Sequence, residues 1–465
     1  MQDNQQHSQA NSSSGMSKTE RRASISLAAI MATRMLGLFM ILPVFALYAE
    51  SLAGATPFLI GLAIGIYGLT QALLQIPFGM ASDKFGRRGM ITIGLVLFAA
   101  GSVVAAMADG LIGIIMGRAL QGAGAVAAVI MALTADLTRE EHRTKAMATI
   151  GMSIGAAFTL ALVAGPLLNS WVGISGIFWF TAALAGLAIV LLWTQVPQPA
   201  NSHMHHDAQL DPGLTLSVLA DTQLLRLDAG IFILHTILTA TFIVVPFVLR
   251  DSLGLEAATH SWVYLPVLLL SAAAMVPFII LAEKKRKMKQ IFVSAVALLG
   301  LSLLAMSQWY EYSIAFFVLL WLFFTAFNFL EASLPSLVSK TVHAARKGTA
   351  MGVYSSSQFL GAFVGGSAGG WLYGELGISG VFVFASVMIA VWWILAITMR
   401  PPLYLSNIVM AVKNLTTEQA SELALQLEKI TGVVEAVVII EEGEAYLKVD
   451  NKLLDREALE KTLSA

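Results

Sequence analysis

Long apolar segments separated by short polar loops fill residues 25–399. A helix that crosses the hydrocarbon layer of a bilayer needs about 20 mostly apolar residues. Twelve segments have this character: residues 25–49, 57–80, 90–108, 111–135, 145–169, 174–194, 227–249, 261–282, 291–308, 312–337, 348–373 and 378–399. The pattern predicts an all-α membrane protein with twelve transmembrane helices in the lipid bilayer.

Composition narrows the possible functions. Of the 465 residues, 57% are hydrophobic and 12% are charged, whereas soluble domains carry about 25% charged residues. The sequence has no cysteine, phosphate-binding loop, zinc motif or nucleophile constellation. We therefore expect no enzyme, no cofactor and no metal site. The cluster His203, His205, His206 and Asp207 lies in a Pro-containing stretch and is typical of a solvated linker.

Basic residues mark alternate loops, and in membrane proteins such loops face the cytoplasm. These loops carry Lys18, Arg21, Arg22, Lys84, Arg87, Arg88, Arg139, Arg143, Lys145, Lys284, Lys285, Arg286, Lys287, Lys289, Lys340, Arg346, Lys347 and Arg400. The other loops hold Arg250 beside Glu50, Asp109, Asp251, Glu256, Glu311 and Glu375. The asymmetry predicts that both termini are cytoplasmic.

The twelve segments divide into two related halves. Gly173-Ile174-Ser175-Gly176 after the fifth span recurs as Gly377-Ile378-Ser379-Gly380 after the eleventh. The predicted regions are a disordered tail (1–22), a six-helix bundle (23–194), a cytosolic linker (195–226), a second six-helix bundle (227–400) and a small domain (403–465). Transporters built from parallel six-helix repeats bind substrate between the halves.

The loop between the second and third spans reads Gly79-Met80-Ala81-Ser82-Asp83-Lys84-Phe85-Gly86-Arg87-Arg88. It resembles the signature loop of the major facilitator superfamily, Gly-x-x-x-Asp-x-x-Gly-[Arg/Lys]-[Arg/Lys]. Gly86 suits a turn with positive φ, and Arg87 is expected to pair with Asp136 at the end of the fourth span. The resemblance implies a conformational latch that favours the outward-open state, formed by Gly79, Asp83, Gly86, Arg87, Arg88 and Asp136. The second-half counterpart, residues 283–287, lacks the glycines and is interpreted as a basic anchor.

Two further patterns resemble this family. Residues 118–124 (Arg-Ala-Leu-Gln-Gly-Ala-Gly) resemble its Arg-x-x-Gln-Gly-x-Gly motif. Arg118 either faces the protein interior or reaches an interface, and Gln121 one turn later favours the interior. The fifth span resembles the Gly-rich pattern of proton-driven antiporters, although Asn169-Ser170 replaces a glycine pair. The predicted helix-packing residues are Gly122, Gly124, Gly155, Gly165 and Pro166.

Ionisable side chains inside the spans are functional candidates. Arg34 lies near the middle of the first span, and its expected partner is either Glu331 of the tenth span or the aromatic and amide groups that face it. Glu331 and His235 are candidates for proton coupling, because the protonation of such groups responds to burial and nearby charge. Polar stripes predict a substrate cavity lined by Tyr67, Gln71, Gln75, Thr239, Asn328, Tyr354 and Gln358.

Composition changes abruptly after Pro401-Pro402. The predicted elements are a strand (404–413), a helix (416–430), a strand (433–440), a turn (441–443), a strand (445–449) and a helix from Asp455. This β-α-β-β-α order predicts a small α+β ferredoxin-like domain. It resembles heavy-metal-associated and regulatory domains of that shape, but the metal-binding cysteine pair is absent. Eleven acids against six bases argue against nucleic-acid binding.

A facilitator with such a domain resembles the YajR-type group of drug-efflux-like transporters in proteobacteria, which implies a place in the bacterial inner membrane. The leading hypothesis is a secondary transporter that exports a small organic or drug-like solute against protons by alternating access. The alternatives are a nutrient importer and a membrane-anchored sensor that acts through the C-terminal domain. The expected partners are the lipid bilayer, a small-molecule substrate, protons and an unknown ligand of the C-terminal domain.

Overall fold

The computed structural model describes residues 15–198, 212–342, 346–401, 406–412, 416–439, 443–450 and 453–464. The first half contains α1 (Lys18–Phe39), α2 (Phe45–Ala49), α3 (Pro57–Phe85), α4 (Arg87–Ala106), α5 (Leu111–Ala123), α6 (Ala127–Asp136) and α7 (Glu140–Gln195). The second half contains α8 (Pro212–Ala220), α9 (Thr222–Phe247), α10 (His260–Lys284), α11 (Met288–Trp309), α12 (Ser313–Thr341) and α13 (Lys347–Ile397).

Within the described residues, ten helical segments are long and apolar enough to cross a membrane. Two of them, α7 with 56 residues and α13 with 51, each account for two crossings. At about 1.5 Å per residue either helix is more than twice as long as the roughly 30 Å hydrocarbon layer. Each is broken at a glycine with non-helical backbone, Gly173 (φ 67°) and Gly377 (φ 66°). The predicted twelve-helix architecture is therefore confirmed.

Two spans are interrupted within the bundle. The first span consists of α1 and α2 with a turn over residues 40–44, and the fourth consists of α5 and α6 with a break after Gly124. A side chain at Gly124 would overlap the backbone carbonyl of Gly94 on α4. Gly124 therefore allows α4 to approach the point where the helix breaks.

Helical structure extends into regions that the sequence assigned to the tail and the linker. Residues 18–22 belong to α1, whose N-terminus is closed by Ser17: its hydroxyl accepts from Glu20 N at 3.1 Å, and Ser17 N donates to Glu20 Oε2 at 2.7 Å. This reciprocal capping satisfies two amide groups that the first turn would otherwise leave free. In the predicted linker, α8 forms, and Asp221 caps the start of α9 by accepting from Gln223 N at 2.8 Å. Residues 199–211, including the histidine cluster, lie outside the described residues.

The C-terminal domain has the predicted order β-α-β-β-α. Its elements are β1 (Ser406–Ala411), α14 (Thr417–Glu428), β2 (Val433–Ile439), β3 (Glu444–Val449) and α15 (Arg456–Ser464). The strands form one antiparallel sheet in the order β1-β3-β2. Leu447 of β3, Leu427 of α14 and Leu459 of α15 are buried together. The sheet is thus covered by its two helices, as expected for a ferredoxin-like unit.

The two halves contact each other along α3 and α13, where glycines replace side chains. We call the end of the bundle with the α3–α4 turn at Gly86 the basic side, and the end with Glu50 and Arg250 the opposite side. A side chain at Gly61 would lie 2.8 Å from Gly370 Cα, and one at Gly65 would lie 2.8 Å from Phe363 O. The helix backbones therefore touch directly.

Further contacts join the halves between the opposite side and the middle. Arg250 Nη1 lies 2.9 Å from Glu50 Oε2, and Ser261 Oγ of α10 donates to a carbonyl of α7 at 2.7 Å. Deeper in the bundle, Ser356 Oγ of α13 donates to Ala72 O of α3 at 3.2 Å. This conformation is closed from the opposite side to the middle of the bundle.

Candidate transport site

Arg87 is the centre of the loop between α3 and α4. Its Nε donates to Asp136 Oδ2 at 2.9 Å, and its Nη1 donates to Ser82 Oγ at 2.9 Å and to Asp83 Oδ1. These contacts join the start of α4 to the end of α6, and the charged side chains are at most 19% exposed. The predicted Arg87–Asp136 contact is present. The function of this group as a latch remains a prediction.

Glycine and arginine fix the shape of the same loop. Gly86 has φ 91° and ψ 137°, a conformation that residues with a Cβ rarely adopt. Gly79 O accepts from Ser82 Oγ at 2.6 Å, which places this hydroxyl beside Arg87. Arg88 turns the other way: its Nη2 donates to Leu192 O at 3.1 Å at the end of α7. The loop is therefore bound to the ends of both α6 and α7 on the basic side.

The corresponding loop of the second half keeps part of this arrangement. Arg286, which aligns with Gly86, has φ 54°, a positive value for a non-glycine residue. Glu283 Oε1 accepts from Lys340 Nζ at 2.7 Å, at the end of α12. The interpretation of this loop as only a basic anchor was incomplete, because it also forms an ion pair between two helices.

Arg34 lies inside the first half with 1% exposure. Its Nη2 donates to Tyr67 Oη at 2.6 Å and to Gln71 Oε1, and Gln71 Nε2 donates to Gln75 Oε1 at 2.8 Å. The guanidinium carbon is 5.8 Å from the Tyr67 ring centroid and 5.7 Å from that of Phe98, within range for cation–π attraction. Among the described residues, Nε and Nη1 of Arg34 have no hydrogen-bond partner.

The expected ion pair between Arg34 and Glu331 is not formed, and the second expectation, aromatic and amide partners, is correct. Arg34 points between α1, α3 and α4, whereas Glu331 bonds within the second half. Tyr67, Gln71 and Gln75 are at most 2% exposed and bond to Arg34 and to each other. Their assignment to the substrate cavity remains a prediction.

Arg118 faces the protein interior, as its motif suggested. Its Nε and Nη2 donate to Ala63 O at 3.3 Å and to Ile64 O at 3.2 Å, and Nη1 donates to Gln121 Oε1 at 3.1 Å. Gln121 Nε2 passes a hydrogen bond on to Ser102 Oγ at 2.8 Å. Arg118 therefore obtains partners from α3 and from its own helix and has no need to reach an interface.

The second half contains a polar cluster around Gln358. Gln358 Nε2 donates to Glu331 Oε1 at 3.2 Å and lies 2.9 Å from His235 Nε2. An amide nitrogen only donates, so His235 Nε2 accepts, and we assign the ring proton to Nδ1. Nδ1 is 3.9 Å from Glu331 Oε2. The Glu331 side chain is 34% exposed, so part of it stays accessible beside these partners.

The other predicted cavity residues of this half lie near the cluster. Asn328, one turn before Glu331, donates to Ser271 Oγ of α10 at 3.0 Å. Thr239 of α9 and Tyr354 of α13 are 5% and 4% exposed. The structure therefore brings the polar stripes of α9, α12 and α13 together in one half.

Away from the loops and helix ends on the basic side, the buried charges of Arg34, Arg118, Asp228 and Glu331 divide between the halves. The contacts of Arg34 and Arg118 among the described residues include no carboxylate. The buried Asp228 and the carboxylate of Glu331 belong to the second half, and the described residues give neither a lysine or arginine partner. Any space between the halves therefore has the cationic side chains of the first half on one side and the acidic side chains of the second half on the other.

Sequence reasoning missed two groups. Asp228, at the start of the seventh span, was not singled out from the sequence, yet it is only 6% exposed. Glu20 Oε1 accepts from Arg139 N at 2.9 Å and from Arg139 Nε at 3.0 Å. Asp228 becomes a candidate once the true start of α9 shows that it lies inside the membrane. Glu20 and Arg139 are 119 positions apart, and no local sequence pattern predicts such a contact.

The helix-packing predictions have mixed outcomes. A side chain at Gly122 would overlap α3, and one at Gly165 would lie 3.1 Å from the Pro43 ring. Pro166 is buried inside α7, which continues past it. The prediction for Gly155 is wrong, because a side chain there would have no atom within 4 Å. Gly155 is on the exposed face of α7.

No group of three or more His, Cys, Asp or Glu side chains in the described part of the chain is arranged to hold a metal ion. The histidine cluster of residues 203–207 is outside that part.

Similarity to known proteins agrees with the fold. Residues 27–366 and 227–422 match the Major Facilitator Superfamily, and residues 416–465 match the YajR YAM domain. The Inner membrane transport protein YajR of Escherichia coli is 46% identical over 453 residues, with 96% of this chain and 98% of that protein covered. The Multidrug resistance protein MdtH of Yersinia pestis is 26% identical over 343 residues, covering 73% and 83%.

A solved structure gives the same fold at low sequence identity. A bacterial homolog of the human lysosomal transporter Spinster, in an inward-facing and occupied conformation, superposes with a TM-score of 0.66 at 13% identity and covers 82% of this chain and 97% of its own. The three matched ranges together span both six-helix halves and the C-terminal domain. This chain therefore belongs to the Major Facilitator Superfamily of secondary transporters, in the YajR-type group with a C-terminal YAM domain.

Proposed function

We propose that this transporter exports a small organic solute in exchange for protons by alternating access. The observation that supports the proposal most directly is the Glu331–His235–Gln358 cluster. It contains a carboxylate and a neutral imidazole inside a membrane-spanning half, with Glu331 Oε2 lacking a hydrogen-bond partner among the described residues. A carboxylate in such a place can hold a proton in one conformation and release it in another.

Alternating access requires a conformation closed on one side only. The contacts Arg250–Glu50 and Gly61–Gly370 close the opposite side, while Glu331 keeps accessible surface. We propose that the basic side is cytoplasmic, with both termini there and the chain in a bacterial inner membrane, in line with the loop charges. In this orientation the conformation is the one that loads solute from the cytoplasm.

The loop at Arg87 is proposed to act as a latch for the outward-open state. In the present conformation Asp83 and Asp136 bond to Arg87 inside the first half. When the halves close on the basic side, the same carboxylate of Asp83 can approach the N-terminus of α13, whose dipole favours negative charge. The drug-like character of the solute is supported by the relatives named multidrug resistance proteins.

The test is efflux from proteoliposomes of a panel of fluorescent dyes and metabolites, with and without a pH gradient. We expect the gradient to accelerate efflux of at least one compound, and Glu331→Gln to abolish this acceleration while the protein still exchanges labelled for unlabelled compound. The matched control is Glu375→Gln, an exposed acid on the opposite side, which should behave as wild type. Efflux that ignores the gradient, or that survives Glu331→Gln, would refute proton coupling.

The same assay separates the alternatives. Proton-driven uptake instead of efflux would identify an importer. Removal of residues 403–465 should leave transport intact, because the described polar cluster lies wholly in the helical halves. A membrane part that moves no compound, with a C-terminal domain that binds a ligand, would instead identify a sensor.

A further inference from the structure

Asp228 is a buried acid near the start of the seventh span. It is 6% exposed, and its Oδ2 has no hydrogen-bond partner among the described residues. Burying a carboxylate without a partner is costly, so such groups either take up a proton or have a function that keeps them. Arg226, two residues earlier, donates instead to Thr398 Oγ1 and Thr222 O.

Tyr354 lies between Asp228 and the Glu331 cluster. Its hydroxyl is also buried without a partner in the described structure, and it is close enough to both carboxylates to experience their charges. Asp228 on α9 and Tyr354 on α13 can each carry a proton, and Asp228 Oδ2 and the Tyr354 hydroxyl have no hydrogen-bond partner among the described residues. In the described part of α9, α12 and α13, the titratable groups of this region are Asp228, Tyr354, Glu331 and His235.

Helix geometry orders these groups along the membrane normal. Asp228 precedes His235 by seven residues, two turns or about 10 Å on the same face of α9. Tyr354 precedes Gln358 by one turn, about 6 Å, on α13. Both helices enter the membrane from the basic side, so Asp228 and Tyr354 both lie between that side and the Glu331 cluster.

We propose that Asp228 and Tyr354 carry protons between the basic side of the membrane and the Glu331–His235 pair. The inference rests on the proposed proton coupling and adds its route. Glu331 gives its proton to the Tyr354 hydroxyl, which at the same time gives its own proton to Asp228. Asp228 then releases a proton to solvent on the basic side. Charge is conserved at each step, because only a proton moves.

The test measures protonation of buried carboxyl groups in the purified full-length protein by infrared spectroscopy after a rapid pH jump. The Glu331 signal is the carboxyl band that Glu331→Gln removes. We expect Asp228→Asn to remove a second band and to slow protonation of Glu331 at least tenfold, and Tyr354→Phe to slow it as well. Asp228→Glu should restore the rate, and Asp109→Asn, an exposed acid on the opposite side, should change nothing.

Two results overturn the inference. One is an unchanged Glu331 protonation rate in Asp228→Asn. The other is an Asp228→Glu variant as slow as Asp228→Asn, because a residue that acts through packing alone gains nothing from a restored carboxyl group. The measurement needs no transported compound, so a failure of pH-driven dye efflux in the wild type would refute the proposed function separately.

Discussion

Replacing Gly61 by alanine places a methyl group in the contact between the two halves. The new Cβ would overlap Gly366 O and would lie 2.8 Å from Gly370 Cα, where ordinary contacts begin at 3.4 Å. Both are backbone atoms of α13, so no side chain can rotate out of the way. The helices must separate by more than about 0.5 Å, and overpacking of this kind costs about 1–3 kcal/mol.

This cost applies only to the conformation closed on the opposite side. A penalty of about 1–3 kcal/mol shifts a two-state equilibrium by a factor of about 5–150. We therefore expect Gly61→Ala to populate a conformation open on the opposite side. Gly366→Ala should do the same, because its Cβ would lie 2.5 Å from Gly61 O and 2.8 Å from Gly65 Cα.

The population is measurable with spin labels, since the chain has no native cysteine. Labels on Ser51→Cys and Ala258→Cys, both exposed on the opposite side and in different halves, report the separation of the halves by pulsed electron resonance. Gly186→Ala is the matched control, because a side chain there meets no atom within 4 Å. If Gly61→Ala gives the same distance distribution as Gly186→Ala and wild type, the glycine contact does not control closure.

Two further predictions use the charged contacts. In the same spin-label measurement, Glu50→Arg should increase the population open on the opposite side by less than about fivefold, because exposed ion pairs contribute only about 0.2–1 kcal/mol. Adding Arg250→Glu should restore the wild-type distribution. A larger shift for Glu50→Arg than for Gly61→Ala would contradict this ranking. Arg87→Met should lower the unfolding temperature more than Arg226→Met does, because it leaves the half-buried Asp83 and Asp136 without their shared donor. Equal decreases in the unfolding temperature would show that these contacts contribute little to stability.

The sequence determined the features that depend on short stretches of chain. Segment length and apolar character gave the twelve crossings, since a bilayer accepts only long apolar helices. Local signals also gave the turn at Gly86 and the breaks that Gly173 and Gly377 produce between spans. The C-terminal order β-α-β-β-α followed from strand and helix periodicities in the same way.

The local pattern also identified the side chains in the spans that are energetically costly to place in a membrane, but it did not determine their hydrogen-bond partners. Arg34, Arg118 and Glu331 stand out because charge is rare in a membrane helix. Whether Arg34 met Glu331 or Tyr67 depended on which bundle interior each helix face turned toward. Asp228 was missed because the start of α9 at Thr222 is set by the cap at Asp221 and by packing in the second half.

Only the tertiary structure decided which faces of the helices are covered. In a soluble protein the apolar face of a helix marks its buried side, but lipid is as apolar as a protein core. Leu73 is therefore 65% exposed and Leu95 fully buried, with no difference that the sequence could show. For the same reason Gly61 and Gly155 look alike along the chain, yet only Gly61 lies where another helix leaves no room for a side chain.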